Sequence, residues 1–238
     1  NEKTGLVPNT KWKKNTLGTG WVLGETLITG IGQGYIETTP LQLCLMTAQL
    51  ANGGFKIYPK IVVDEKNQDS VENIKYKMAQ AALEMKEEIS PIRRVEKIFK
   101  IGEQEYTPLF RNPENVKFVL EAMFGSTNEI MGTSYASRIE DKKYQFAGKT
   151  GTAQVKKITE KQRELDLDIS QIPYEDRDHA LYIAFGPYIN PRYAASILVE
   201  HGGSGSKTAA PIAKKLFKLI IDRHELREKE INKNLTKA

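Results

Sequence analysis

The sequence predicts an α+β fold in which an antiparallel β-sheet is flanked by helices. Three segments near the C-terminus have the composition of strands, at 144–155, 180–185 and 193–199, and a helical pattern follows them. A short turn at Asn190-Pro191 joins the last two strands, which favours an antiparallel pair. At 238 residues the chain can bury one sizeable core, so we assign residues 1–238 to a single domain.

The first half of the chain contains one clear helical signal. Thr39 can cap a helix that begins at Pro40, because proline's missing N–H costs nothing at this position. Asn52-Gly53-Gly54 ends that helix, and an extended segment follows at 55–63. Residues 1–30 lack periodicity, and we predict an extended surface segment anchored by Trp12 and Trp21. Residues 64–111 form a charged, variable segment, with a helix predicted at 79–88 and a strand at 95–101.

The second half opens on a helix that begins at Asn112-Pro113 and is predicted to end at Gly125. Its buried stripe has helical spacing and comprises Val116, Val119, Leu120 and Met123. A run of small residues at 132–137 precedes the first strand, and a long polar loop at 156–178 follows it. We predict a flexible glycine turn at 200–206, a helix from Pro211 and a frayed tail at 226–238. The predicted inward face of this helix comprises Ile212, Leu216, Leu219 and Ile220.

Composition excludes several classes of protein. The net charge of +5 is spread over predicted helices and the tail, which is typical of solvated faces and not of a nucleic-acid site. The single cysteine, Cys44, allows no internal disulfide. The three histidines occur without a CxxC or HExxH motif, so we expect no metal and no cofactor. No run of about 18 apolar residues is present to span a membrane.

The strand at 146–155 has the composition of a ligand-binding wall. Gly148 and Gly151 allow close approach to the backbone, and Lys149 supplies a positive charge for a carboxylate. Thr150 and Thr152 supply hydroxyl groups, and the backbone N–H groups between small residues can face a developing oxyanion. A glycine-containing turn before a strand is the structural alternative.

Three blocks of this chain resemble one protein family. They are GIGQGYIETTPLQL followed by ANGG, AGKTGTAQV, and DHALYIAFGPYINPRYAASILVEHGGSGS. Together they are similar to the C-terminal part of the transpeptidase domain of the penicillin-binding protein 2 family, the class B peptidoglycan D,D-transpeptidases of bacteria. The resemblance implies a penicillin-binding transpeptidase fold of the serine β-lactamase-like type, incomplete in this chain.

The family's chemistry is acyl transfer through a serine acyl-enzyme, with the serine in an SxxK motif and a relay through SxN. By resemblance, Lys149 and Thr150 bind the terminal carboxylate of a stem peptide or of a β-lactam, and Gly151 gives the substrate clearance. The backbone N–H of Thr152 forms half of the oxyanion hole. Gln154 shares a strand face with Thr152 and is a candidate substrate contact, as is His201 near the sheet edge.

The resemblance also implies partners and a location. The partners are peptidoglycan stem peptides that end in D-Ala-D-Ala, β-lactams and cell-wall elongation proteins. The location is the periplasmic face of the bacterial inner membrane, with membrane attachment only through an N-terminal anchor that this chain does not carry.

Two short patterns match the remaining family motifs in the wrong places. Ser204-Gly205-Ser206-Lys207 fits SxxK but follows the KTG strand and lies in the predicted glycine turn. Ser126-Thr127-Asn128 fits SxN but lies directly after a predicted helix end. We therefore expect the true SxxK and SxN segments to precede Asn1, and we expect this chain alone to be inactive.

Two other functions are consistent with parts of the pattern. A catalytically inactive scaffold for cell-wall elongation partners would keep the KTG strand as a remnant. A serine β-lactamase would share KTG but lack the GQG-TPLQL and HGGSGS blocks. Within the chain, Asp178-His179 is predicted to be a hydrogen-bonded structural pair at the sheet end, with a catalytic base as the alternative.

Overall fold

The computed structural model describes residues 3–59, 99–101, 104–155 and 169–235. The helix predicted at 79–88 and the end of the extended segment predicted at 55–63 lie outside these ranges. The chain separates into two units, Asn1–Leu43 and Cys44–Ala238, and the boundary falls within one helix. No helix in the described ranges is both long and apolar enough to cross a membrane.

The first unit is helical where we predicted an extended segment. Helix α1 spans Thr10–Leu17 and α2 spans Leu23–Gly30. The Asn9 side chain caps α1 by accepting a hydrogen bond from the Trp12 backbone N–H at 2.9 Å. Gly18 ends the helix with a φ of 68°, a left-handed conformation that glycine adopts without strain. The prediction for residues 1–30 was wrong because it relied on an apolar period. The helix between the end signals Asn9 and Gly18 lacks such a period.

A buried lysine joins α1 to α2. The ammonium group of Lys13 donates to the carbonyl of Gly20 at 2.7 Å and contacts Glu25 Oε1 at 2.5 Å. The other carboxylate oxygen of Glu25 accepts a hydrogen bond from the Val22 backbone N–H at 2.8 Å. The hydrogen bond from Lys13, and then that from Val22, lower the pKa of the Glu25 carboxyl. The Lys13–Glu25 pair is therefore an internal contact of this unit, and both charged groups have further hydrogen-bond partners within it.

This contact predicts an acid-sensitive first unit. Since the pKa of Glu25 is lower in the folded than in the unfolded state, its contribution to stability is present above the ordinary carboxyl pKa of 4.5. That contribution is lost as the pH falls through the folded pKa. We expect the urea midpoint of wild-type protein to fall on acidification through this range, and to fall less in Glu25→Gln. Tryptophan fluorescence reports this unit selectively because the chain's two tryptophans are Trp12 and Trp21. Identical pH profiles for the two proteins would contradict the prediction.

The second unit contains a three-stranded antiparallel sheet, as predicted. Strands β3 (Ala147–Ala153), β4 (His179–Gly186) and β5 (Tyr193–Val199) pair in the order β3-β4-β5. Two short strands that precede them, β1 (Phe99–Ile101) and β2 (Gln104–Tyr106), form a separate antiparallel pair. The structure thus confirms the end of the strand predicted at 95–101, whose first residues are not described.

Helices α3 (Pro40–Ala51), α4 (Pro113–Asn128) and α5 (Ala210–Leu235) complete the described fold. On one face of the sheet, Phe217 of α5 stacks on Phe146 with ring centroids 5.2 Å apart, and the alanines of α5 pack beside them. On the other face, Met123 of α4 packs with Ala147 and Phe185. The sheet therefore lies between two helical layers, which is the predicted α+β arrangement.

The inward face of α5 differs from the prediction. Ala213, Phe217 and Ile221 are buried, whereas Ile212 and Leu219 are 44% and 66% exposed. The buried positions recur every four residues, one residue later than the large aliphatic side chains suggested. Close contact with the sheet favours small alanines and one flat ring, so the largest side chains do not mark the packed face.

The ends of two helices also differ from the predictions. Helix α4 continues past Gly125 to Asn128, because a glycine inside a helix costs only about 1 kcal/mol and does not stop it. In α4, Val116 and Met123 are buried as predicted, but Val119 is exposed. A π-helical turn at Gly205–Ala209 precedes α5, so the helical region begins before Pro211. Helix α5 then continues to Leu235, through residues that we predicted as a frayed tail.

Candidate active site

The Lys-Thr-Gly sequence lies on β3, at one edge of the three-stranded sheet. Thr150 is opposite Tyr182 of β4, and Thr152 is opposite Ala180. Strand alternation places Thr150 and Thr152 on the sheet face that α5 covers, and Lys149 on the other face. Lys149 is exposed, and its ammonium group donates to the Thr150 carbonyl at 3.0 Å. Among the described residues no strand pairs with the outer edge of β3, which leaves backbone groups there for a ligand.

The two glycines of this strand have different surroundings. A Cβ added to Gly148 would overlap the Tyr182 hydroxyl and lie 2.7 Å from the Ile183 carbonyl oxygen. Within the part of the chain that the structure describes, a Cβ added to Gly151 would meet only the Leu181 Cβ, at 3.3 Å. Gly148 is therefore required by packing within the sheet, whereas the space in front of Gly151 remains open. The open position is the one to which the sequence assigned substrate clearance.

Three buried hydroxyl groups lie behind β3. The Tyr182 hydroxyl is 2.8 Å from Thr127 Oγ1 and 3.0 Å from Ser134 Oγ. All three side chains are at most 1% exposed. Burial raises the pKa of Tyr182, and its hydrogen bonds to Ser134 and Thr127 oppose that shift in part. The cluster joins α4, the segment after it and β4. It therefore fixes the relative positions of the elements that pack against the Lys-Thr-Gly strand.

A second set of hydroxyl groups leads to Thr150 of the strand. Ser126 Oγ is 3.1 Å from Thr133 Oγ1, which is 3.4 Å from the Thr150 hydroxyl. Thr133 was not predicted as a site residue, although it lies in the small-residue run before β3. Gly132 permits this approach, because a Cβ there would overlap the carbonyl oxygens of Gly125 and Ser126.

The SxN-like residues lie in the last turn of α4, and not after a helix end as predicted. The Asn128 amide donates to the Phe146 carbonyl at 2.9 Å and to the Phe124 carbonyl at 3.1 Å. Asn128 therefore fixes the entrance to β3. Ser126 alone of the three faces Thr133 and, through it, Thr150.

The SxxK-like residues begin a helix, which corrects the predicted flexible turn. Ser204 Oγ accepts a hydrogen bond from the Lys207 backbone N–H at 3.4 Å and lies 3.0 Å from Ser206 Oγ. Its hydroxyl thus caps the helical turn, and the lysine backbone is the partner, not the ammonium group. Gly205 packs against the sheet so closely that a Cβ would lie 2.7 Å from the Gly151 carbonyl oxygen. The SxxK-like segment therefore contacts the Lys-Thr-Gly strand by packing against its backbone.

His201, a predicted substrate contact, and His179 lie together at the end of the sheet where β3 ends and β4 begins. His201 has a φ of 54°, and its backbone N–H donates to His179 Nδ1 at 2.9 Å. The ring of His201 is 3.0 Å from the Arg177 carbonyl oxygen through Nδ1. Asp178 and His179 were predicted to be a hydrogen-bonded pair, but each bonds to a different group. Asp178 Oδ1 accepts from the Val155 N–H at 3.3 Å, and His179 Nδ1 accepts from the His201 N–H. Gln154 is exposed directly after β3.

Metal chemistry has no candidate ligand cluster in the described ranges. No group of three or more His, Cys, Asp or Glu side chains is arranged there to hold an ion. The polar groups at β3 are an ammonium group, hydroxyl groups and backbone N–H groups, which suit a carboxylate and an oxyanion.

An antiparallel sheet between helical layers, with Lys-Thr-Gly on an edge strand, defines the structural class that comprises penicillin-binding proteins and serine β-lactamases. Within that class, the family model for the penicillin binding protein transpeptidase domain matches residues 1–218. The chain belongs to this family, and the resemblance stated from the three sequence blocks is confirmed.

The individual relatives agree with the family. The chain is 32% identical over 221 residues to the peptidoglycan D,D-transpeptidase MrdA of Salmonella typhimurium, covering 93% of this chain and 31% of that protein. It is 32% identical to penicillin-binding protein 2 of Pseudomonas aeruginosa in complex with WCK 5153, with a TM-score of 0.63 over 92% of this chain and 38% of that one. The complex of penicillin-binding protein 2 and MreC from Helicobacter pylori gives 27% identity and a TM-score of 0.65, over 93% of this chain and 32% of that one. The chain thus spans about a third of the length of these relatives.

Proposed function

We propose that the protein is a penicillin-binding peptidoglycan D,D-transpeptidase that cross-links stem peptides through a serine acyl-enzyme. In this proposal the chain contributes the wall that holds the substrate carboxylate and the oxyanion. The observation that carries the proposal is the exposed Lys149 beside the half-buried Thr150 on an edge strand, in a chain of the transpeptidase family. The relatives named as D,D-transpeptidases support the same reaction.

In this proposal Lys149 and Thr150, whose side chains leave β3 on opposite faces, both reach the terminal carboxylate of the D-Ala-D-Ala peptide at the outer edge of the strand. Lys149 now donates to a neighbouring carbonyl, and a carboxylate is a better acceptor because the hydrogen bond is then charge-assisted on both sides. Thr150 can accept a hydrogen bond from Thr133 and so keep its own proton for the carboxylate. Thr133 is therefore a positioning residue for Thr150.

The reacting carbonyl lies along β3 in this proposal. A serine hydroxyl attacks it, forms an ester to the penultimate D-Ala and loses its proton, and the terminal D-Ala leaves as the amine takes up a proton. The backbone N–H of Thr152 stabilises the oxyanion, and the loss of one such donor typically lowers the rate by about 10²–10³. Gly151 provides clearance, and Gln154 and His201 are the further substrate contacts that we propose.

The proposed partner follows a relative, and the proposed location follows the family resemblance. A Helicobacter pylori penicillin-binding protein 2 has been solved with MreC, which supports a cell-wall elongation protein as a partner of this protein. We place the activity at the periplasmic face of the bacterial inner membrane.

The test is acylation of the complete protein. We expect labelled penicillin to acylate it and D-Ala-D-Ala stem peptides to be cross-linked by it. A complete protein that folds but shows neither acylation nor cross-linking would contradict the proposal and favour an inactive scaffold. Rapid hydrolysis of the penicillin without cross-linking would instead favour a β-lactamase.

For the 238-residue chain alone, we expect no covalent adduct with labelled penicillin by mass spectrometry of the intact protein. The reason is that the Ser204 hydroxyl caps a helical turn and Ser126 bonds to Thr133, and neither accepts from a lysine ammonium group of the described residues. The control is Ser204→Ala, which should give the same unlabelled spectrum. Stoichiometric labelling that Ser204→Ala removes would assign the nucleophile to Ser204 and contradict this prediction.

A further inference from the structure

An open groove with a volume of about 890 Å³ lies between the start of α5 and the segment at 133–144. Among the described residues, four lysines line it from one side, and a single acidic residue, Asp141, lines it from the other. Four positive charges against one negative charge leave a net charge of +3. The lysines are Lys207, Lys214, Lys215 and Lys218.

The lysines form a row that runs from the π-helical turn into α5. Lys207 lies in the turn at Gly205–Ala209, and Lys214 and Lys218 are four residues apart on α5, the spacing of neighbours on a helix surface. Along α5 the last two are about 6 Å apart, since a helix rises about 1.5 Å per residue. The charges therefore recur along the groove and do not converge on one point.

These charges are available to a ligand. All four lysines are exposed, and within the described ranges Lys207, Lys214 and Lys215 form no ion pair. Lys143, just outside the groove, differs because its ammonium group contacts Glu225 at 2.8 Å and Asp222 at 3.4 Å. The hydrogen bond to Glu225 has the largest effect in raising the pKa of Lys143, and the hydrogen bond to Asp222 adds to it. Its charge is already compensated.

The groove is not built for stacked bases. Tyr144 provides an aromatic ring there, but the ammonium groups of Lys143 and Lys218 lie 4.6 Å and 5.9 Å from its centroid. Its hydroxyl donates to Asp222. Binding of single-stranded nucleic acid without sequence preference relies on free aromatic faces as well as positive charge. The hydroxyl group of Ser206 instead offers a hydrogen bond to a phosphate oxygen.

We propose that this groove binds a linear polymer of phosphate groups that carries no nucleobases. The row of charges matches a ligand in which negative charge repeats along a chain, and a single phosphate would reach only part of it. This site is separate from the acyl-transfer reaction proposed above, so either proposal can fail without the other.

The test is calorimetric titration of the 238-residue chain with inorganic polyphosphate at low and at physiological salt. We expect the triple variant Lys207→Gln, Lys214→Gln, Lys218→Gln to bind at least about tenfold more weakly than wild type, because three phosphate contacts are lost. The matched control, Lys11→Gln, Lys14→Gln, Lys117→Gln, removes the same charge elsewhere and should change affinity by less than about twofold. The corresponding triple arginine variant of the groove should retain binding, and thermal melting checks that every variant is folded.

Three results would overturn the proposal. The first is an equal loss of affinity in the groove variant and the control, which would indicate attraction to net charge alone. The second is orthophosphate binding as tight as polyphosphate, which would indicate a single-phosphate site. The third is tighter binding of a single-stranded oligonucleotide, which would indicate a nucleic-acid site.

Discussion

Gly148→Ala is expected to lower the free energy of unfolding of the second unit by at least about 2 kcal/mol, the range of overpacked cores. The added methyl group would overlap the Tyr182 hydroxyl and lie 2.7 Å from the Ile183 carbonyl oxygen. The tyrosine cannot move freely, because its hydroxyl is bonded to Thr127 and Ser134. Chemical denaturation followed by far-ultraviolet circular dichroism measures the effect.

The control for this variant is Gly20→Ala, since a Cβ at Gly20 meets no atom of the described residues within 4 Å. We expect it to change stability by less than about 0.5 kcal/mol. Tyr182→Phe should cost less in the Gly148→Ala background than in wild type, because it removes one of the overlapping atoms. Wild-type stability of Gly148→Ala would show that the contact between Tyr182 and β3 is not as close as described.

Lys149→Gln is expected to slow acylation of the complete protein by labelled penicillin by about 10- to 100-fold. The estimate corresponds to the roughly 1.5–3 kcal/mol of a hydrogen bond to a charged group. Lys149→Arg should retain more activity because it keeps the positive charge. The second-order rate constant of acylation is the quantity to measure.

The matched control is Lys117→Gln, which removes an exposed lysine whose ammonium group lies 4.0 Å from Glu121 on α4. We expect it to acylate at the wild-type rate, since such exposed pairs contribute little. Acylation of Lys149→Gln at the wild-type rate would remove Lys149 from the proposed carboxylate site.

The sheet could be predicted from sequence because its strands carry strong local patterns. The β4 segment is apolar and β-prone, and a short turn separates it from β5, so both strands and their antiparallel pairing are local properties. The Lys-Thr-Gly strand was identified for the same reason, since its glycines, lysine and threonines are consecutive. The structure confirms the positions of these elements to within a few residues.

Other features depend on tertiary contacts and were missed. Nothing in the sequence indicates that Thr133 meets Thr150, because the contact requires α4 to run past Gly125 and the chain to turn back at Gly132. The face of α5 was predicted one residue out, because alanines and Phe217 pack on the sheet in preference to larger aliphatic side chains. In the first unit, by contrast, Asn9 and Gly18 were readable helix end signals that the search for an apolar period overlooked.

The most direct test of the carboxylate and oxyanion wall is a titration of the isotope-labelled chain with a stem-peptide analogue ending in D-Ala-D-Ala. Backbone amide resonances are recorded with the free acid and with its C-terminal amide. We predict that the acid shifts the resonances of residues 149–154 and that the amide, which lacks the carboxylate, shifts them much less. Equal shifts with both peptides, or shifts confined to residues outside β3, would contradict the assignment of this strand as the substrate-binding wall.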